Sequence, residues 1–174
     1  MKYNLQSSYE ILERTPAVLK SLLSGLSDDW VMNNEGPDTF SPYDVVGHLI
    51  NGENTDWRPR TNMILEYGDS KTFVRFDRFA QYEASKGKTL SQLLDEFEES
   101  RKENMKWFRS LQISEADLDK KGMHPVLGQV TLRNLLATWV IHDLTHIAQI
   151  TRAMAKQYKG EMGPWLEFFR LMNF

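Results

Sequence analysis

The stretch "IHDLTHIAQI", residues 141–150, holds two of the chain's four histidines, four residues apart in a run with helical spacing. Side chains at i and i+4 stack one turn apart on one helical face, so the imidazoles of His142 and His146 can converge on a single point. That is how an H-x-x-x-H pair binds a divalent metal. The same face runs through Leu135, Trp139, His142, His146, Gln149 and Ala153, in steps of four, three, four, three and four residues. It is a core-facing stripe. A histidine on such a face is more often a satisfied core residue than a ligand. Two buried imidazoles side by side, however, need partners or stay neutral, and a shared cation supplies that partner.

A third ligand should come from another helix. His48 is the best placed, between Val45 and Leu49, with Gly52 one turn later leaving space over the ring or serving close helix packing. His124 precedes Pro125 in a glycine-containing connection and reads as a loop residue. Three neutral imidazoles around a divalent cation leave a +2 charge and at least one open coordination position, the pattern of a reactive site; structural zinc sites are usually closed by four protein ligands. That position can take water or an anionic sulfur, with its pKa lowered.

Two other metal architectures are testable. A zincin needs Glu directly after the first histidine; Asp143 stands there, one methylene shorter and about 100° around the helix from His142. It reads as a group behind the ligands or on the surface. A di-iron carboxylate bundle needs Glu-x-x-His pairs, and no histidine has Glu three residues before it.

The elements that must carry these residues are helical. Leu12, Leu19, Leu22, Leu23 and Leu26 fit a first helix over 3–26, kinked or restarted at Pro16 with Thr15 as a cap. "FSPYDVVGHLINGEN" opens a second, over 42–66: Ser41 caps, Pro42 suits the first turn, Asp44 completes a capping box, Pro59 disturbs the helix and Gly68 stops it. Thr89 and Gln92 form a capping box for a third helix over 90–111, and Thr131 caps a fourth over 132–156. The "FVRFDRF" connection covers the bundle mouth or packs across it. The connection 113–130 is irregular, with one short helical turn at most, and "PWLEFFRLM" folds back as a short helix. Strand signals are nearly absent. The sum is an all-α four-helix bundle with a short C-terminal helix, one domain over 1–174.

Composition narrows the chemistry. The 21 basic and 24 acidic residues give a net charge of −3, which offers no basic face for nucleic acid and no polybasic membrane anchor. There is no cysteine, so disulfides, thiolate ligands and a cysteine nucleophile are excluded. No signal peptide and no apolar run of membrane-spanning length is visible, and a cytoplasmic location is expected.

"GLSDDW", "FSPYDVVGHLINGEN" and "HPVLGQVTLRNLLATWVIHDLTHIAQI" together resemble the DinB/YfiT-like superfamily, over about residues 5–157. The resemblance implies a four-helix bundle with up-down-down-up connectivity. It implies a divalent metal, typically zinc or nickel, on three histidines that match His48, His142 and His146. Characterised relatives are thiol-dependent: they join a low-molecular-weight thiol such as bacillithiol or mycothiol to a substrate, or isomerise with mycothiol.

Other residues are candidates for the pocket or for the layer behind the ligands. Glu53 lies about 140° around an ideal helix from His48, off the ligand face unless the helix distorts. Trp57 and Trp139 wall a pocket or belong to the core. Gln149 shares the metal face and can orient a ligand or water. Arg101 resembles an arginine of the relatives and either binds an anionic group or pairs with Glu98 or Glu99. No residue is assigned as general base.

The reading is a divalent-metal enzyme that transfers a small-molecule thiol, as a metal-bound thiolate, to a small electrophile. A metal-dependent hydrolase using water is the first alternative, and a non-catalytic metal-binding stress-response protein the second. The apolar C-terminal "WLEFFRLMNF" and the relatives suggest a homodimer.

Overall fold

The computed structural model describes residues 2–173. The long second helix begins as the sequence predicts. In α4 (Pro42–Gly52) the Ser41 hydroxyl accepts from the Asp44 amide while the Asp44 carboxylate accepts from the Ser41 amide. One helical axis continues through a π turn (Glu53–Trp57) into α5 (Arg58–Tyr67). The widened turn sits just ahead of Pro59, whose ring cannot donate to the carbonyl four residues back and clashes with it; a wider turn relieves both. Gly68 ends the helix at φ +60.

The first helix is two helices, α1 (Leu5–Leu12) and α2 (Thr15–Leu23), broken at residues 13–14. Thr15 is not the cap expected of it. Its hydroxyl donates back to the Ile11 carbonyl, and Arg14 occupies the cap position without a side-chain bond. A short α3 (Asp28–Val31) follows, and α6 (Gln81–Ser85) lies in the connection before α7 (Leu90–Ser110). The fourth long helix, α8 (Leu132–Lys156), starts at a Thr131–Asn134 capping box. The first helix pair and the α4–α5 helix each pack against α7 and α8, which makes a four-helix bundle.

Two expectations need correction. The connection before α8 contains, after a 3-10 turn at Asp117–Asp119, an antiparallel hairpin of β1 (Lys121–His124) and β2 (Gly128–Thr131). Four-residue strands with a glycine in each carry too little alternation to be read from sequence. The C-terminal stretch forms 3-10 turns, Gly163–Phe168 and Arg170–Asn173. Met172 is buried, but Trp165, Phe168 and Phe169 stay exposed.

The core has two parts. One gathers Leu19, Leu23, Val45, Leu49, Phe97 and Ile150; the other Leu12, Trp57, Phe108, Leu132 and Trp139. His48 lies within the first part, and the α8 histidines lie between Trp139 of the second and Ile150 of the first. No described helix is long and apolar enough to cross a membrane.

Outside the core, Glu35 ties the loop before α4 to α8, accepting from Arg152 at 2.7 Å and pairing with Lys156 at 2.7 Å. The Arg152 hydrogen bonds, aided by Lys156 and opposed by burial, hold this carboxyl at about 2 against its ordinary 4.5. A depressed folded-state value means the stabilisation is complete above pH 4.5 and disappears as the pH falls toward 2. Glu35→Gln is therefore expected to cost about 1–2 kcal/mol at pH 7 and to flatten the acid limb of stability. Urea unfolding of both proteins between pH 7 and 2.5 checks it.

Candidate metal centre

His48 on α4 and His142 and His146 on α8 meet, as their spacing predicts. The Nε2 atoms of His48 and His146 each lie 3.1 Å from Nε2 of His142. One ligand atom from each residue falls within 4.8 Å of the others. All three rings are shifted below their ordinary protonation range. His142 is held at about 2 by burial, then by the neighbouring histidines and Arg101. His48 is held at about 4 by burial, His146 and Arg78. His146 is lowered by burial, against the Gln149 hydrogen bond and the Asp143 charge.

Neutral rings fit a cation. Gln149 Oε1 lies 2.8 Å from His146 Nδ1, the place of a proton donated by that nitrogen, which leaves Nε2 as a lone pair facing the other two rings. Nδ1 of His48 and of His142 are buried without a protein partner. Three imidazole nitrogens turned toward one point, with their protonated forms suppressed, are a suitable donor set for a divalent ion. Gln149→Ala is expected to weaken metal binding by roughly ten- to a hundredfold, because the His146 ring loses the partner that fixes its tautomer. Competition with a chelating dye measures it.

The cluster lies in an open cavity of about 430 Å³. Phe40, Trp57 and Phe76 form its apolar walls, and Thr138, Gln149, Asp56 and Arg78 bring polar groups to it. Trp57 fills both roles foreseen for it. It packs edge-on to His142 at 5.1 Å, stacks on Trp139 at 5.9 Å, and is buried with the core. Trp139 is fully buried and belongs to the core alone.

Behind the histidines is a buried ion cluster. Arg101 on α7 donates through Nη1 to Asp143 Oδ2 at 2.6 Å, and through Nη2 to Asp143 Oδ1 at 3.0 Å and Glu53 Oε1 at 2.8 Å. Glu53 Oε1 also accepts from Trp139 Nε1 at 3.0 Å, and its Oε2 from Asn104 Nδ2 at 3.0 Å. Glu53 faces inward to this cluster, away from the cavity. Arg101 further donates to the Leu12 carbonyl at 2.7 Å. In a continuous helix that carbonyl would accept from residue 16, and Pro16 has no N–H to give. One guanidinium thus joins all four long helical segments. Its pKa is raised above the usual arginine range; burial opposes the charge, and Glu53 and Asp143 outweigh it.

These contacts correct the expectations for Arg101 and Asp143. Arg101 is 1% exposed and occupied by the chain's own carboxylates, so it neither binds a foreign anion in the cavity nor pairs with Glu98 or Glu99. Those two pair with Lys20 and Lys102. Asp143 is fully buried, so the surface option fails. Glu53 and Asp143 are both held by Arg101. His124 lies apart from the cluster, at the end of β1, where its Nδ1 accepts from the Val126 and Leu127 amides.

Sequence reasoning missed Asp56, which the π turn carries to the cavity, where its Oδ1 lies 2.6 Å from Arg60 Nε. Burial raises its pKa in spite of Arg60. No periodicity argument finds a residue that depends on a non-α turn. Phe76 and Arg78, which line the cavity, come from the "FVRFDRF" connection.

Among solved structures the chain is similar to YfiT from Bacillus subtilis, with a TM-score of 0.74, 21% identity, and 92% of this chain and 90% of that chain covered. That protein is described as a probable metal-dependent hydrolase with an unusual four-helix bundle topology. No curated protein matches the chain. The sequence profile of the DinB superfamily matches residues 11–150, which include all three clustered histidines, and the chain belongs to that superfamily.

Proposed function

We propose that the protein is a divalent-metal-dependent enzyme that transfers a low-molecular-weight thiol to a small electrophile. His48, His142 and His146 hold the ion, zinc or nickel. The observation that carries the reading is the convergence of three Nε2 atoms on an open, apolar-walled cavity. When bound, the ion supplies Lewis acidity that draws a thiol toward its anion near neutral pH. Phe40, Trp57 and Phe76 exclude water and receive the carbon framework of the reactants. Thr138 and Gln149 offer hydrogen bonds that orient them. Glu53 and Asp143, held by Arg101, stiffen the helices that carry the ligands.

Hydrolysis is the second reading. Among the described residues Asp56 is the only carboxylate lining the cavity, and YfiT is described as a probable hydrolase. Asp56 is engaged by Arg60 at 2.6 Å, although burial still raises its pKa. A thiol, with a pKa near 8.5, needs less help than water. The thiol reading is therefore preferred. A cytoplasmic homodimer of single-domain chains completes the proposal. The exposed Trp165, Phe168 and Phe169 support the dimer, which sedimentation velocity tests.

The deciding assay uses metal-loaded protein with a panel of thiols and chlorodinitrobenzene, beside esters and amides without thiol. Turnover that requires thiol supports transfer. Turnover of esters or amides alone replaces it with hydrolysis. Silence in both leaves a metal-binding protein without catalysis.

A further inference from the structure

We propose that the cavity selects a reactant bearing a carboxylate, and that Arg78 is the residue that recognises it. The inference rests on the metal-dependent reading above and goes beyond it by naming a substrate class. Besides the histidines, Asp56 and Arg78 are the two ionisable residues on the cavity wall. They are not equivalent. Asp56 is neutralised by Arg60 at 2.6 Å. Arg78 forms no ion pair among the described residues. Its guanidinium lies 5.2 Å from the ring centre of Phe40 and 4.9 Å from that of Phe79.

Phe40 in turn lies 5.4 Å from the His48 ring, so an unneutralised cation stands one aromatic ring away from the histidine cluster. Stacking over aromatic faces leaves the in-plane N–H groups of a guanidinium available, and their fork matches a carboxylate. A reactant whose sulfur or electrophilic atom sits at the histidines can place a carboxylate on Arg78, with its carbon chain against Phe40 and Phe76. Arg78 is exposed, so the matching fork of its guanidinium and the aromatic faces that hold it carry the selectivity.

Cobalt(II)-loaded protein tests this without turnover, through the cobalt–thiolate absorption band. The probes are 3-mercaptopropionate and 2-mercaptoethanol, alike in size and differing in the carboxylate. The wild type is expected to bind the first at least tenfold more tightly. Arg78→Gln should remove most of that preference, and Arg78→Lys should restore part of it. Propionate tells which reactant brings the carboxylate. Competition with 3-mercaptopropionate assigns it to the thiol; joint binding with 2-mercaptoethanol assigns it to the acceptor.

Equal affinities for the two thiols, together with propionate binding that ignores Arg78→Gln, overturn the inference, as does a preference that survives Arg78→Gln. If cobalt is bound but neither thiol gives the band, the thiol reading fails alone. An Arg78-dependent effect of propionate on the cobalt d–d bands then still supports the anion site. If cobalt is not bound at all, both readings fall.

Discussion

His142→Ala is expected to abolish stoichiometric metal binding while leaving the fold intact. His142 is the middle member of the cluster, 3.1 Å from each of the other two ligand nitrogens. Removing it leaves His48 and His146 as a two-nitrogen site, too poor to retain zinc or nickel against a competing chelator. The expected fall in affinity is a hundredfold or more, since it exceeds the ten- to hundredfold typical of losing a mere supporting partner. Thiol-dependent turnover should fall with it. The substitution removes a half-buried ring with a strongly depressed pKa and no Nδ1 partner, so stability should change little or rise in the metal-free protein. Elemental analysis after dialysis, with thermal unfolding of both apo-proteins, checks both parts. Destabilisation of the apo-protein comparable to a core deletion would instead mark His142 as a packing residue.

Arg101→Met is expected to be the most destabilising single change at the site, costing about 3–5 kcal/mol. Among the described residues the guanidinium is the only cation paired with two buried carboxylates, Glu53 and Asp143. Its loss leaves both without compensation and also frees the Leu12 carbonyl, which Pro16 cannot serve. A pair of buried acids without a cation must take up protons, so the variant should gain stability as the pH falls from 7 toward 5. Most surface variants of this chain should do the reverse. Adding Glu53→Gln and Asp143→Asn to Arg101→Met should recover much of the loss, because removing all the charges together eliminates the desolvation problem. Urea unfolding at pH 7 and pH 5 measures these differences. A cost below about 1 kcal/mol would show that solvent reaches the cluster.

The parts of the molecule that follow from helical periodicity and end signals were legible in the sequence. Three capping boxes, at Ser41, Thr89 and Thr131, open the three long helices where their side chains imply. The i, i+4 pair on α8 and the single histidine on α4 come together because both lie on bundle-facing stripes. Features set by tertiary contact or by departures from the α period were not legible. The π turn before Pro59 brings Asp56 and Trp57 to the cavity, while Glu53 stays off the ligand face, where an ideal helix also puts it, and meets Arg101. Arg101 sits among Phe97 and Met105, a position that reads as charged surface only while its partners on three other helical segments are unknown. The hairpin before α8 owes its register to packing as much as to its residues. A Cβ on Gly122 would lie 2.6 Å from Ile64 and 2.7 Å from Phe73.

The central claim is that three imidazoles alone supply the protein ligands of a single reactive ion. X-ray absorption on the zinc- or nickel-loaded wild type tests it most directly. One ion per chain is expected, with three imidazole nitrogens at about 2.0–2.1 Å and the remaining coordination made by exchangeable small ligands that a thiol replaces with a sulfur at about 2.3 Å. A fourth protein ligand that thiol cannot displace, or no stoichiometric ion at all, would contradict it.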